Sequence, residues 1–254
     1  MDIALHDRTL TVSSIALFSV QDHFKKFWVG LMDGDGSIQV NHWRKKFLQY
    51  RIIIKLSYLE SNLNMLMLIK NQFKGQVRVS TDGKYVLWVL DNKKYIIHAI
   101  KTFDIYPPLT SRLICSLKFL KTCLLNNDVE SYLRTRNLKY ENQLNIVKEY
   151  LTISEPNYFN SWLSGFIEAE GCFSKRTNKY SSFSIAQNND IYLLNLIKKH
   201  FGVSNMIRKP YKNKELYSLE IYRKDVLKKI IHHCEVYPLL GAKYDSLLKF
   251  KKTV

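Results

Sequence analysis

The sequence predicts an α+β protein in which one αββαββα unit is built twice, the copies related by a pseudo-twofold axis. Two duplicated motifs and a repeated order of hydrophobic periods carry that prediction. The segment from Asp22 to Gly36, DHFKKFWVGLMDGDG, recurs 135 residues later as NYFNSWLSGFIEAEG, Asn157 to Gly171. A second pair, YPPLTSR (106–112) and YPLLGAK (237–243), is separated by 131 residues, so the halves have nearly equal internal length.

Residues 1–21 are an N-terminal extension, 22–125 the first unit, 126–156 a linker and 157–254 the second unit. In the first unit, residues 22–33 run from a cap-type Asp22 through an apolar stretch to glycines, as a helix does. Ser37, Gln39 and Asn41 then alternate with Ile38 and Val40, and Arg51 to Leu56 alternates again, which predicts two strands. Helix-spaced apolar residues follow over 61–73. Gln76–Ser80 and Tyr85–Leu90 flank Thr81-Asp82-Gly83 as a hairpin. Asn92–Phe103 and, after Pro107-Pro108, Thr110–Leu125 read as helices. The second unit repeats the order: helix 157–168, strands near 172–176 and 181–187, helix 190–200, strands near 205–210 and 215–222, helices 224–233 and 241–251. In the linker, Leu138, Leu144, Val147 and Leu151 predict one amphipathic bridging helix.

Composition narrows the partners. The 39 Lys and Arg exceed the 22 Asp and Glu, giving a net charge of +17 over 254 residues. Such a surplus favours an acidic partner, nucleic acid first and an anionic membrane surface second. With 46% hydrophobic and 13% aromatic residues the chain can bury a core, which excludes wholesale disorder. No apolar run approaches the roughly twenty residues of a membrane span. The first twenty residues match neither a secretory signal nor a transit peptide. Cys115, Cys123, Cys172 and Cys234 fall at no zinc-ligand or redox spacing and read as reduced thiols. Lys outnumbers Arg 29 to 10 beside abundant Ile, Asn, Tyr and Phe, as an AT-rich gene would encode, which points to an organellar genome.

The chemistry sits where the two motif helices end. A helix C-terminus carries partial negative charge and unpaired carbonyls, so acids there are costly unless a cation compensates. Yet one copy ends in Asp33-Gly34-Asp35-Gly36 and the other in Glu168-Ala169-Glu170-Gly171. Small residues at Gly30, Gly34, Ser164, Gly165 and Ala169 allow the helices to pack closely and bring both acidic ends together. Carboxylates meeting there suit a hard cation such as Mg²⁺.

These paired motifs, Trp28 to Gly36 and Leu163 to Gly171, resemble those of single-chain LAGLIDADG homing endonucleases, the intron-encoded family common in fungal mitochondria. The resemblance covers roughly residues 22–252. It implies two αββαββα domains with saddle-shaped antiparallel sheets facing the DNA major groove. It also implies Mg²⁺-dependent hydrolysis of one phosphodiester per strand, leaving short 3′ overhangs, with Mn²⁺ or Ca²⁺ able to occupy the metal's place. The metal-binding acids are then Asp35 and Glu170, with Gly34 and Ala169 beside them as metal-site positions, while Asp33 and Glu168 are structural. The basic residue after the Tyr-Pro turn falls on Arg112 and Lys243. The family commonly has Lys at both, and Arg holds its proton too firmly for a base. Gln187 matches a water-ordering position where the first half has Leu56, so the two strands are expected to be cut at unequal rates.

If the sheets face DNA, one parity of each strand supplies the reading residues: Ser37, Gln39, Asn41, Arg51 and Lys55, then Ser174, Arg176, Asn178, Ser182 and Ser184. The hairpins add Arg78, Ser80, Lys84, Arg208, Lys212 and Lys214. Because these residues differ between halves, the target is expected to be a long asymmetric duplex bound by a monomer. Location in the mitochondrion is expected from the family's habit and the Lys-over-Arg bias. The alternative is an RNA-binding maturase acting on the host intron; retention of both metal acids favours the nuclease.

Overall fold

The computed structural model describes residues 21–175 and 181–254. The first motif helix, α1, occupies residues 21–34. It leads into β1 (Gly36–Trp43), β2 (Phe47–Ser57), α2 (Glu60–Phe73), β3 (Gln76–Val79), β4 (Tyr85–Leu90), α3 (Lys93–Ile105) and α4 (Ser111–Asn126). The sheet is antiparallel in the order β1-β2-β4-β3. Asn92 and Thr110 start α3 and α4 by accepting from the Lys94 and Leu113 amides, and Asn127 ends α4 in a left-handed turn.

After the linker the order recurs: α7 (Phe159–Glu170), β5 (Cys172–Lys175), β6 (Ser181–Asn188), α8 (Ile191–Phe201), β7 (Leu216–Ile221), α9 (Lys224–Val236) and α10 (Ala242–Lys251). Two expectations fail. Residues 205–210 form no strand, and among the described residues the second sheet is β5-β6-β7, joined by a single bridge between Arg208 and Ser218. Pro210 has no amide to continue the ladder, and the Asn205 side chain donates to the Glu220 carbonyl (2.8 Å), taking up an edge acceptor. Nor is the linker one helix. It is α5 (Val129–Thr135) and α6 (Gln143–Glu149), followed respectively by 3₁₀ turns at Arg136–Leu138 and Tyr150–Thr152. Of its apolar stripe only Val147 packs partly against the core: Leu138, Leu144 and Leu151 are exposed, whereas Tyr132 and Ile146 are buried. No helix among the described residues is long and apolar enough to cross a membrane.

From Phe27 onward in α1 and along most of α7 the helices are buried on all sides, packed between the two halves. Phe27, Trp28, Leu31, Met32, Trp162, Leu163, Phe166 and Ile167 are fully buried. Trp28 stacks on Phe73 with ring centres 4.1 Å apart. At the crossing, a Cβ built on Gly30 would lie 1.9 Å from the Trp162 carbonyl, and one on Gly165 would lie 1.9 Å from the Phe27 carbonyl. The two contacts are pseudo-twofold images of each other.

One core group makes stability depend on pH. His233 of α9 is buried against Ser164 of α7 (Nε2 to Oγ, 3.3 Å) and packs near the rings of His200, Phe201 and Tyr237. Burial, reinforced by the neighbouring His200, pushes its imidazole from 6.5 down to about 3. Between those values the unfolded chain binds a proton that the folded chain does not, so stability rises with pH there and is lost on acidification. From pH 7 to 5 the wild type should lose about 2 kcal/mol more than His233→Gln in urea unfolding. Equal losses would contradict this.

Candidate functional site

The first acid of each motif is consumed by structure. Asp33 is fully buried and accepts from the amides of Leu109 (2.8 Å) and Thr110 (2.9 Å), the Thr110 hydroxyl (2.5 Å) and, across the interface, Trp162 Nε1 (2.7 Å). Burial pushes its carboxyl up to about 6 against the pull of these donors. Glu168 does the same in the second half, accepting from the amides of Leu240 (3.1 Å), Gly241 (3.0 Å) and Lys243 (2.9 Å), and burial raises it too. Each acid thus joins the C-terminal turn of a motif helix to the positive N-terminal end of the last helix in its own half. Asp33→Asn should cost about 2 kcal/mol, because one amide NH₂ must then face a buried donor. A melting temperature unchanged from wild type would refute that.

Each half also completes the other. The Ser111 amide of α4 donates to Asp190 (3.0 Å) from the second half, and the Ala242 amide of α10 donates to Asn62 (2.9 Å) from the first. Sequence reasoning missed both caps. They join positions 79 and 180 residues apart and have no local signature.

The second acids meet at the junction of the helix ends. A Cβ on Gly34 would lie 2.2 Å from the Ala169 Cβ and 3.5 Å from Glu170 Oε1, so the end of α1 adjoins the Glu170 side chain. Asp35 is reached by solvent yet crowded by protein. Loss of hydration and then the Glu170 charge push its carboxyl up to about 6, while Lys243 and Arg112 pull it down. Glu170 is raised by burial against the same two cations. These four side chains are therefore electrostatic neighbours, two acids and two bases. Among the described residues no group of three or more His, Cys, Asp or Glu side chains is placed to hold a metal ion. The donor set is thus two crowded carboxylates with main-chain carbonyls. It fits a hard divalent cation completed by oxygens from elsewhere.

The two bases differ. The Arg112 guanidinium donates to the carbonyls of Asp33 (2.7 Å), Gly36 (2.8 Å), Gly34 (3.1 Å) and Met32 (3.3 Å), closing the end of α1. The Lys243 ammonium has no hydrogen-bond or ion-pair partner among the described residues, although its backbone amide is held by Glu168. Gln187 is not part of the site. The register puts it opposite Tyr217 on the helix-facing side of β6, where it is buried beside Asp190. With period-two alternation, a position one residue away lies on the other face.

Register also sorts the expected reading residues. Ser37, Gln39 and Asn41 share one face with Gln49, Arg51 and Lys55 of β2, and through β4 with Gln76 and Arg78 of β3. Gln49 and Gln76 were missed, although extending the β2 and β3 alternation would have included them. The face is not uniformly polar, since Ile53, Leu87 and Val89 lie in its middle. In the β3–β4 turn Lys84 is exposed, but Ser80 Oγ is occupied by Asp82 (2.5 Å) and the Tyr85 amide (3.0 Å). In the second half Ser174 and Ser184 are half-buried on the corresponding face, next to an acid, Glu220. Ser182 is on that face but buried. Arg208, Lys212 and Lys214 are exposed on the segment between α8 and β7. Arg176 and Asn178 lie outside the described residues.

A profile of the LAGLIDADG endonuclease family matches residues 28–123 and 163–254. A probable intron-encoded endonuclease aI3 of Debaryomyces hansenii is 46% identical over 94% of this chain, which spans only 39% of that protein. A Dictyostelium citrinum protein of the same name is 44% identical, with 91% of this chain and 95% of that one aligned. Among solved structures, the LAGLIDADG homing endonuclease I-GzeII in complex with its DNA target superposes with a TM-score of 0.69 at 21% identity, covering 90% of this chain and 88% of that one. I-SmaMI bound to uncleaved DNA in the presence of calcium ions gives 0.65 at 17% identity, covering 90% and 89%. At these identities the structural likeness establishes the shared fold, two antiparallel sheets beside a pair of packed helices.

Proposed function

Because the chain belongs to the LAGLIDADG endonuclease family, we propose that it is a site-specific, Mg²⁺-dependent DNA endonuclease that acts as a monomer in the mitochondrion. It cuts both strands of a long asymmetric duplex and leaves short 3′ overhangs. The observation that carries this reading is the meeting of Asp35 and Glu170, one from each half, with no other acid assigned to the same spot. A pure binding protein gains nothing from two crowded carboxylates, whose mutual charge opposes an acidic partner.

Asp35 and Glu170, with the carbonyls of Gly34 and Ala169, would hold the cation. When bound, it offsets charge developing on the scissile phosphate and favours ionisation of the attacking water. The chain's own residues supply position and field. Lys243 directs an uncommitted ammonium toward both acids, where it can hold a non-bridging phosphate oxygen or orient water. Arg112, committed to four carbonyls, fixes the end of α1 and contributes charge without moving a proton. The pseudo-symmetric positions therefore do unequal work, and the strands should be cut at different rates.

The test is incubation with a duplex library with and without Mg²⁺, followed by sequencing of the cut ends. Cleavage at one asymmetric site, with staggered 3′ ends and one strand leading, supports the reading. Binding with no metal-dependent ends refutes it.

A further inference from the structure

Under the linker lies an open recess that adjoins the reading face and extends beyond it to linker residues outside both sheets. Tyr132 of α5 donates to the Val40 carbonyl (3.0 Å), anchoring the linker to the free edge of β1. Between that edge, α4 and the linker lies a polar cavity of about 470 Å³. Gln39 and Asn41 line it from the reading face, Arg112 from α4, and Arg136, Lys139 and Tyr140 from the linker. No acid lines it. Among the described residues neither Arg136 nor Lys139 takes part in an ion pair.

The Tyr140 phenol records the local field. Burial alone would raise it, but a hydrogen bond with Ser116 (3.3 Å) and the Lys139 and Arg112 charges bring it below its ordinary value. A polar recess with three cations, neutral donors and no carboxylate matches an anion carried on a chain, since its mouth is continuous with Gln39 and Asn41.

We propose that the linker is part of the DNA interface, with Arg136 and Lys139 gripping backbone phosphates in the cavity they share with Asn41 and Tyr140. This rests on the DNA-binding reading above and adds to it an element outside the sheets.

The test measures duplex affinity against salt for wild type, for Arg136→Gln/Lys139→Gln, and for the charge-preserving Arg136→Lys/Lys139→Arg. Loss of two phosphate contacts should flatten the logarithmic salt slope by about 1.8 and weaken binding roughly tenfold or more at moderate salt. The weakening should be equal for target and unrelated duplexes, because phosphates carry no sequence. The Lys/Arg exchange should restore the slope. An unchanged slope in the Gln variant, or a loss confined to the target, overturns the proposal. If wild type binds no duplex at all, the DNA reading fails first and this inference falls with it; the wild-type curve distinguishes the two cases.

Discussion

Replacing Asp35 by Asn, or Glu170 by Gln, is expected to reduce DNA cleavage at least about a thousandfold while leaving duplex affinity within a fewfold of wild type. Each substitution preserves shape and removes one of the two solvent-side carboxylates that meet at the ends of α1 and α7. Neither side chain supports the fold as Asp33 and Glu168 do. Among the described residues no backbone amide is capped by the Asp35 or Glu170 side chain, and hydration loss raises both carboxyls. Thermal stability without metal should therefore stay level or rise in both variants. The distinction is sharp because Asp33, two residues from Asp35, should behave oppositely, losing stability on amidation. A variant that lost folding together with cleavage would mean that the second acids are structural.

The second large effect is expected at the helix crossing. Alanine at Gly30 or Gly165 gains about 1 kcal/mol in helix propensity. Against this stands a Cβ placed 1.9 Å from a main-chain carbonyl of the facing helix, which no rotamer change relieves. Overpacking of well-ordered cores costs about 1–3 kcal/mol even where side chains can yield, so a clash between backbones wins and each alanine should be net destabilising by about 3 kcal/mol. Valine at either position should leave no folded protein. Because the contacts are images across one crossing, separating the helices for one Cβ makes room for the other. The Gly30→Ala/Gly165→Ala pair should cost clearly less than the sum of the singles in denaturant unfolding. Simple additivity would show that the two contacts are independent.

Which features were legible in the sequence follows from the range of the interactions. The motif helices, the β1–β2 alternation and the helices after each Tyr-Pro turn are written in local period and caps, and the structure has them within a few residues. The duplicated acids were legible because repetition removed the ambiguity of one copy. What escaped depends on distant partners. Asn62 and Asp190 look like ordinary polar residues near helix starts, yet each caps a helix of the opposite half. Arg112 was expected to lend charge to the acids rather than to act as a base; its four carbonyl acceptors exist only once α4 lies across the end of α1. Gln187 was placed by analogy, and a single step of strand parity turned it inward. The linker misled because its leucines repeat at helical spacing but face solvent, and the helix is interrupted by a 3₁₀ turn at Arg136–Leu138 and turns over 139–142. The expected strand at 205–210 failed at Pro210, where the missing amide was visible in the sequence and outweighed by symmetry with the first half.

The central claim is that one carboxylate from each half makes a single metal-dependent cutting site. Its most direct test is strand-resolved, single-turnover cleavage of the selected duplex at equal occupancy, comparing wild type with the Asp35→Asn/Glu170→Gln double variant in Mg²⁺ and in chelator. The account predicts that wild type cuts both strands in Mg²⁺ alone, and that the double variant binds the duplex but cuts neither strand in any condition. Cleavage surviving in chelator, or in the double variant, would contradict it.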